Sequence, residues 1–185
     1  MRPQKVQDIE MLNGLMSVFR SKGYEGASMA ELSEATGLKK ASLYHRYPGG
    51  KKDMTLAVLV YLEENIKKHV YNVLTDSEKG KKVRLEEAIR NIKTLYDGGS
   101  EVCIYRSLSL DSGIELFGAQ IKQGIHLILN GFKQFGLASG MSETDATEKA
   151  NQTFIEIQGS LVMSKALQTT KPFIDSLEKI RLRYI

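Results

Sequence analysis

Apolar residues recur every three or four positions along almost the whole chain, the spacing of one buried helical stripe. Val6, Ile9, Leu12, Met16 and Phe19 predict a first helix, with Gly23 placed to end it. Ser28 stands three residues before Glu31, a capping box that opens a short second helix; Met29, Leu32 and Ala35 give its inward face and Gly37 its stop. A third short helix runs from about Lys39 to Tyr47, because Pro48 disfavours helical geometry in the residue before it. After Gly49 and Gly50, a long fourth helix is predicted through Val58, Leu59, Leu62, Ile66, Val70 and Leu74.

The polar stretch from Asp76 to Lys82 reads as a loop, and Leu85, Ala88, Ile89, Ile92 and Leu95 mark a fifth helix closed by Gly98 and Gly99. Cys103 to Leu110 is open between a short helix and an irregular apolar stretch. Ile114, Phe117, Ile121, Ile125, Ile128, Phe132 and Phe135 carry a strong stripe that stops at Gly136. Ser142 with Asp145 caps a long helix through Ala146, Ala150, Phe154, Ile157, Leu161 and Leu167. Pro172 suits the first turn of a last helix with Phe173, Leu177, Ile180 and Tyr184 on one side. No segment alternates as a strand does, so the expected fold is all-α, with three short helices first and longer ones after.

Composition narrows the function. The chain has 185 residues, of which 42% are hydrophobic and 26% charged, so it can bury a core and is not disordered. A single cysteine, Cys103, excludes an internal disulfide and fits a reducing compartment. The N-terminus lacks the apolar stretch of a secretory signal and no apolar run approaches a membrane span, so a cytoplasmic protein without a membrane partner is expected. His45, His69 and His126 are scattered, with no metal-ligand spacing, phosphate loop or nucleophile elbow, and neither a cofactor nor a metal is expected.

The net charge of +4 is unevenly spread. Residues 1 to 54 hold nine Lys or Arg against six Asp or Glu, and five of those nine bases lie between Lys39 and Lys52. An anionic partner at that end, or a solvated basic face, explains such a cluster. The second and third helices are joined by Ala35-Thr36-Gly37-Leu38, with small Ser33 four residues before the glycine. A helix-turn-helix needs both: a small residue where the helices cross and a glycine able to take the left-handed backbone. Leu43 and Tyr47, four apart, would pin the third helix inward and leave Lys39, Lys40, Ser42, Tyr44 and His45 on its free side. Such a basic, hydroxylic and aromatic face suits a DNA major groove. Lys51 and Lys52 oppose the macrodipole of the fourth helix unless an anion sits at its start, where backbone amides and Lys51 would hold a phosphate.

Ser28 to Met54, with Phe19, Gly23 and Tyr24 before it, resembles the DNA-binding signature of TetR/AcrR-type transcriptional regulators. Pro48-Gly49-Gly50-Lys51 is similar to the LmrA/YxaF-like subgroup of that family. The resemblance implies a helix-turn-helix domain at 1–53 and a larger helical ligand-sensing and dimerising domain at 54–185. It also implies that Ser28, Ser42, Tyr44 and Lys51 hold phosphates while Lys39, Lys40 and His45 meet base edges. Arg46 either reaches a phosphate or covers the helix.

In the same family the last two long helices pair with their copies, here about Ser142 to Gln168 and Pro172 to Tyr184. Gly159, Ser160 and Ser164 would permit that approach, or equally face the protein's own core. A homodimer also follows from the chemistry, since one short helix reads few base pairs and a twofold protein reads a palindrome. Cys103, Tyr105, Arg106, Phe117, Ile121, Phe154, Ile157, Gln158 and Leu161 are candidate ligand-pocket residues, with plain core packing as the competing reading for the apolar ones. The expected function is a ligand-responsive regulator, not an enzyme: a dimeric repressor on a palindromic double-stranded DNA operator, released by a small-molecule inducer. A helical enzyme with a dispersed site and a helical interaction protein that never touches DNA are the alternatives.

Overall fold

The computed structural model describes residues 4–184, with side chains from Asp8 on, so Val6 of the expected first stripe falls outside the side chains described. Among the described residues every regular element is helical. The helices are α1 Gln4–Gly26, α2 Met29–Thr36, α3 Lys40–Arg46 and α4 Lys51–Ile66. A π-helical turn, Lys67–Tyr71, continues α4 into α5 Asn72–Thr75, followed by α6 Lys81–Leu95. A 3-10 turn at Asp97–Gly99 leads to α7 Ile104–Leu108, α8 Gly113–Ala138, α9 Glu143–Ala166 and α10 Lys171–Tyr184. The stretch left open around Cys103 to Leu110 therefore contains a short helix.

Two compact units share the chain: one runs up to Leu62 and includes Ile104–Lys122, and the other comprises Glu63–Cys103 and the chain from Gln123 on. In the first, Met11, Leu15, Val18 and Phe19 of α1 are buried with Leu32 of α2, Leu43 of α3 and Met54 and Val58 of α4. The buried face of α1 is rotated by about one residue from the expected stripe, since Ile9 is 41% exposed. At 100° per residue, two interleaved apolar rows compete for the core, and the row that faces α2 and α7 wins. The close crossing of α1 and α2 is made by Gly14. A Cβ on Gly14 would lie 2.9 Å from the carbonyl carbon of Ala35.

In the second unit α10 packs on α9 and α6, burying Phe173, Leu177, Ile180 and Tyr184. Arg84 is buried with no carboxylate paired to it among the described residues; its Nη1 donates to the Leu74 carbonyl at 3.1 Å and its guanidinium lies 5.3 Å from the Phe135 ring centroid. A cation that caps a helix end and rests on an aromatic face accounts for that burial. Three readings of α8 and α9 need correction: Ile114, expected at the head of the α8 stripe, is 47% exposed. Gly136 does not stop α8: it is buried, and a Cβ there would meet the Ala146 side chain at 3.1 Å, so it admits α9 while the left-handed Gly140 (φ 91°) follows the helix end. Leu167, expected inward, is 62% exposed.

Candidate nucleic-acid interface

Local chemistry builds the helix-turn-helix. The Ser28 hydroxyl accepts the Glu31 amide at 3.2 Å and donates to the Glu31 carboxylate at 2.8 Å, which in turn accepts the Ser28 amide at 3.0 Å. This full capping box holds the Glu31 carboxyl below its ordinary value, first through the Ser28 amide and then through its hydroxyl. At the far end Gly37 takes the left-handed conformation (φ 66°), its amide bonded to Glu34. The Ser33 hydroxyl donates across the turn to the Leu38 carbonyl at 2.5 Å, so Ser33 fastens the turn.

On α3, Leu43 is fully buried while Lys39, Lys40, Ser42, Tyr44 and His45 are all exposed. One buried leucine thus presents the whole expected reading face to solvent. Burial of half-covered Tyr47 pushes its phenol up. Of the two roles open to Arg46, the structure shows the covering one: its guanidinium pairs with Asp8 and reaches the Met11 sulfur at 3.5 Å.

The two glycines of the corner before α4 meet different surroundings. Gly49 donates its amide to the Asp53 carboxylate at 2.7 Å, and a Cβ on it would lie 2.6 Å from the Asp53 carboxyl carbon. Gly50 is left-handed (φ 65°), and its Cβ would meet the Tyr44 ring at 3.2 Å. Asp53 therefore supplies an acid to the start of α4, where the sequence suggested only a phosphate, and its place in the first helical turn was the available signal. The Lys51 ammonium donates to the carbonyls of Ala27 (3.2 Å) and Glu25 (3.4 Å) and lies 4.5 Å from the Tyr24 ring centroid. Asp8, Gly14 and Asp53 are the residues here that sequence reasoning gave no role, and Tyr24 entered it only as part of the family signature. Gly14 had a signal as a glycine inside a helical pattern, whereas Asp8 and Tyr24 act through partners more than 25 residues away.

The candidate pocket residues divide between the units. Tyr105, Phe117 and Ile121 are buried and Arg106 is exposed in the first; Cys103, Ile157 and Leu161 are buried, and Phe154 and Gln158 half-buried, in the second. Cys103 accepts a hydrogen bond from the Tyr96 hydroxyl at 3.7 Å. The Gln158 amide nitrogen is enclosed and has no hydrogen-bond partner among the described residues. No helix among the described residues is long and apolar enough to cross a membrane.

A family model described as bacterial regulatory proteins, tetR family, matches residues 12–58. Over 176 residues the chain is 21% identical to the HTH-type transcriptional regulator LmrA of Bacillus subtilis (strain 168), with 89% of each chain covered. The fold is similar to the crystal structure of a TetR transcriptional regulator from Legionella pneumophila, with a TM-score of 0.78, 20% identity, and 92% of this chain and 93% of that one covered. It is also similar to a cysteine-substituted variant of the TetR family regulator CifR complexed with 26-bp double-strand operator DNA, with a TM-score of 0.72, 21% identity and 94% of each chain covered. The matched segment contains α2, the Gly37 turn and α3 with its exposed basic face, so the similarity to the tetR family of bacterial regulatory proteins is carried by the helix-turn-helix segment.

Proposed function

We propose that the protein is a dimeric repressor that reads a palindromic operator and leaves it when a small-molecule inducer binds. One observation carries the DNA reading: α3 buries Leu43 and turns Lys39, Lys40, Ser42, Tyr44 and His45 outward together. In this reading residues 1–53 bind DNA and 54–185 sense the effector and pair. Lys39, Lys40 and His45 address base edges, whereas Ser42, Tyr44 and Lys51 hold phosphates. Ser28 joins the phosphate set only by exchanging its hydroxyl bond to Glu31, because that proton is already donated.

Pairing is supported by the outer face of α9. Ile155, Val162, Met163 and Leu167 are 68%, 47%, 54% and 62% exposed and fall at helical spacing, with Gly159 between them. A groove of about 550 Å³ lies along this face, lined by Gly159 and Met163 of α9, by Leu167 just past its end, and by Pro172, Asp175 and Lys179 on the α10 side. Ser160 and Ser164 are instead buried within the subunit, Ser164 accepting the Phe173 amide at 3.2 Å. For the effector, Gln158 has an enclosed hydrogen-bond donor to spare on α9, the kind of group that orients a ligand.

Selection of bound duplexes from random DNA tests the reading. A consensus with twofold symmetry, bound by two chains per duplex, is expected; recovery of no consensus, or of an asymmetric one bound by a single chain, would overturn it.

A further inference from the structure

The Lys51 side chain is held on every side that an ammonium can use. It has three N–H donors, and the structure shows three acceptors: the Ala27 carbonyl, the Glu25 carbonyl and the face of the Tyr24 ring. The three are unequal. The bond to Ala27 is shorter and partly buried, whereas that to Glu25 is longer, at 3.4 Å, and exposed. The ring is itself fixed, since Tyr24 meets the fully buried Phe117 of α8 edge to face, with centroids 5.1 Å apart and planes at 71°. An unrestrained lysine loses most of its rotamer freedom when it grips a phosphate, and a lysine already held by a ring and a carbonyl has lost it beforehand.

We propose that Tyr24 is the positioning residue for Lys51: backed by Phe117, its ring and the Ala27 carbonyl hold the ammonium at the start of α4, so that an arriving DNA phosphate displaces only the Glu25 carbonyl. This rests on the reading of Lys51 as a phosphate contact. Phe117 thereby ceases to be a pocket-lining candidate and becomes the support of a DNA contact.

Binding of the full-length protein to a random-sequence duplex over a range of salt concentrations tests it, with thermal melting as a check on folding. Lys51→Ala is expected to weaken binding and lower the salt slope by about one. Tyr24→Leu lowers affinity by about three- to fivefold and lowers the slope in the same sense, while Tyr24→Phe, which keeps the ring face, restores binding to within about twofold of the parent. Adding Tyr24→Leu to Lys51→Ala causes no further loss, because the contact it serves is gone. A Tyr24→Leu protein that binds with the parent's affinity and slope, or one that loses as much in the Lys51→Ala background, overturns the inference while Lys51 stands. A parent-like Lys51→Ala overturns the phosphate reading and the inference with it. If Tyr24→Leu does not fold, Phe117→Leu takes its place, with a smaller loss in the same direction expected and parent-like binding counting against the inference.

Discussion

Gly49 and Gly50 are chemically identical neighbours, yet a side chain on the first would displace the Asp53 carboxylate, whereas the second takes a left-handed backbone beside the Tyr44 ring. The distinction has a measurable consequence. Gly37 is also left-handed but has nothing within 4 Å of where a Cβ would go. Gly37→Ala and Gly50→Ala should therefore each lose about 1 kcal/mol in urea unfolding, the cost of forcing alanine into that conformation. Only Gly50→Ala should also weaken DNA binding, because Tyr44 must move. Glu31 makes a pH-dependent contribution at the same scale. Its folded carboxyl titrates below the unfolded one, so its stabilisation is complete above the ordinary carboxylate range and is lost as the pH falls through the lowered folded value. Acid unfolding followed by circular dichroism should show that Glu31→Gln removes this part of the acid-dependent loss while leaving the protein less stable at neutral pH.

The elements were the most legible part of the chain. The stripes on α6, α8 and α10, the caps at Ser28 and Ser142 and the breaks at Gly37 and Pro48 are short-range patterns, and the structure realises them as helices, caps and ends. What failed at this scale depended on a neighbour: which of two rows on α1 faces inward, why Gly136 lies inside α8, and the π-helical turn after α4. That turn offers the His69 carbonyl to the Asn91 side chain of α6 at 2.7 Å, a partner 22 residues away. Arg46 illustrates the same dependence, since its pairing with Asp8 ties the end of α3 to α1. Both partners are partly exposed, so Arg46→Ala should cost no more than about 1 kcal/mol in stability. Its salt slope for DNA binding should match the parent's, and a slope lower by about one would instead place Arg46 on a phosphate.

For the whole molecule, the exposed row on α9 separates association from folding. Ile155→Glu combined with Met163→Glu alters positions that are 68% and 54% exposed in the subunit, so thermal stability of the monomer should be little changed. Sedimentation should then show a single chain where the parent shows a pair, and affinity for a full palindrome should fall toward that for a half-site. An undiminished dimer would move the pairing surface elsewhere. Of the candidate site, the α3 face was legible because it follows from one helix and one buried leucine. The pocket was not: its candidates divide between the two units, with Phe117 and Ile121 in one and Ile157 and Leu161 in the other.

By itself the sequence determined the helical class, the helix-turn-helix with its capping box and left-handed glycine, and the concentration of basic residues between Lys39 and Lys52. All of these arise from interactions over three or four residues, where backbone hydrogen bonding and side-chain period decide the outcome. Tertiary structure alone decided that Ile104–Lys122 joins the N-terminal unit, that Arg46 faces Asp8, that Asp53 takes the amide of Gly49, and that Lys51 rests on a tyrosine backed by α8. Apart from the Asp53 turn, these contacts join residues tens of positions apart. Each depends on how buried faces are rotated against one another, which the hydrophobic pattern specifies only to within about one residue.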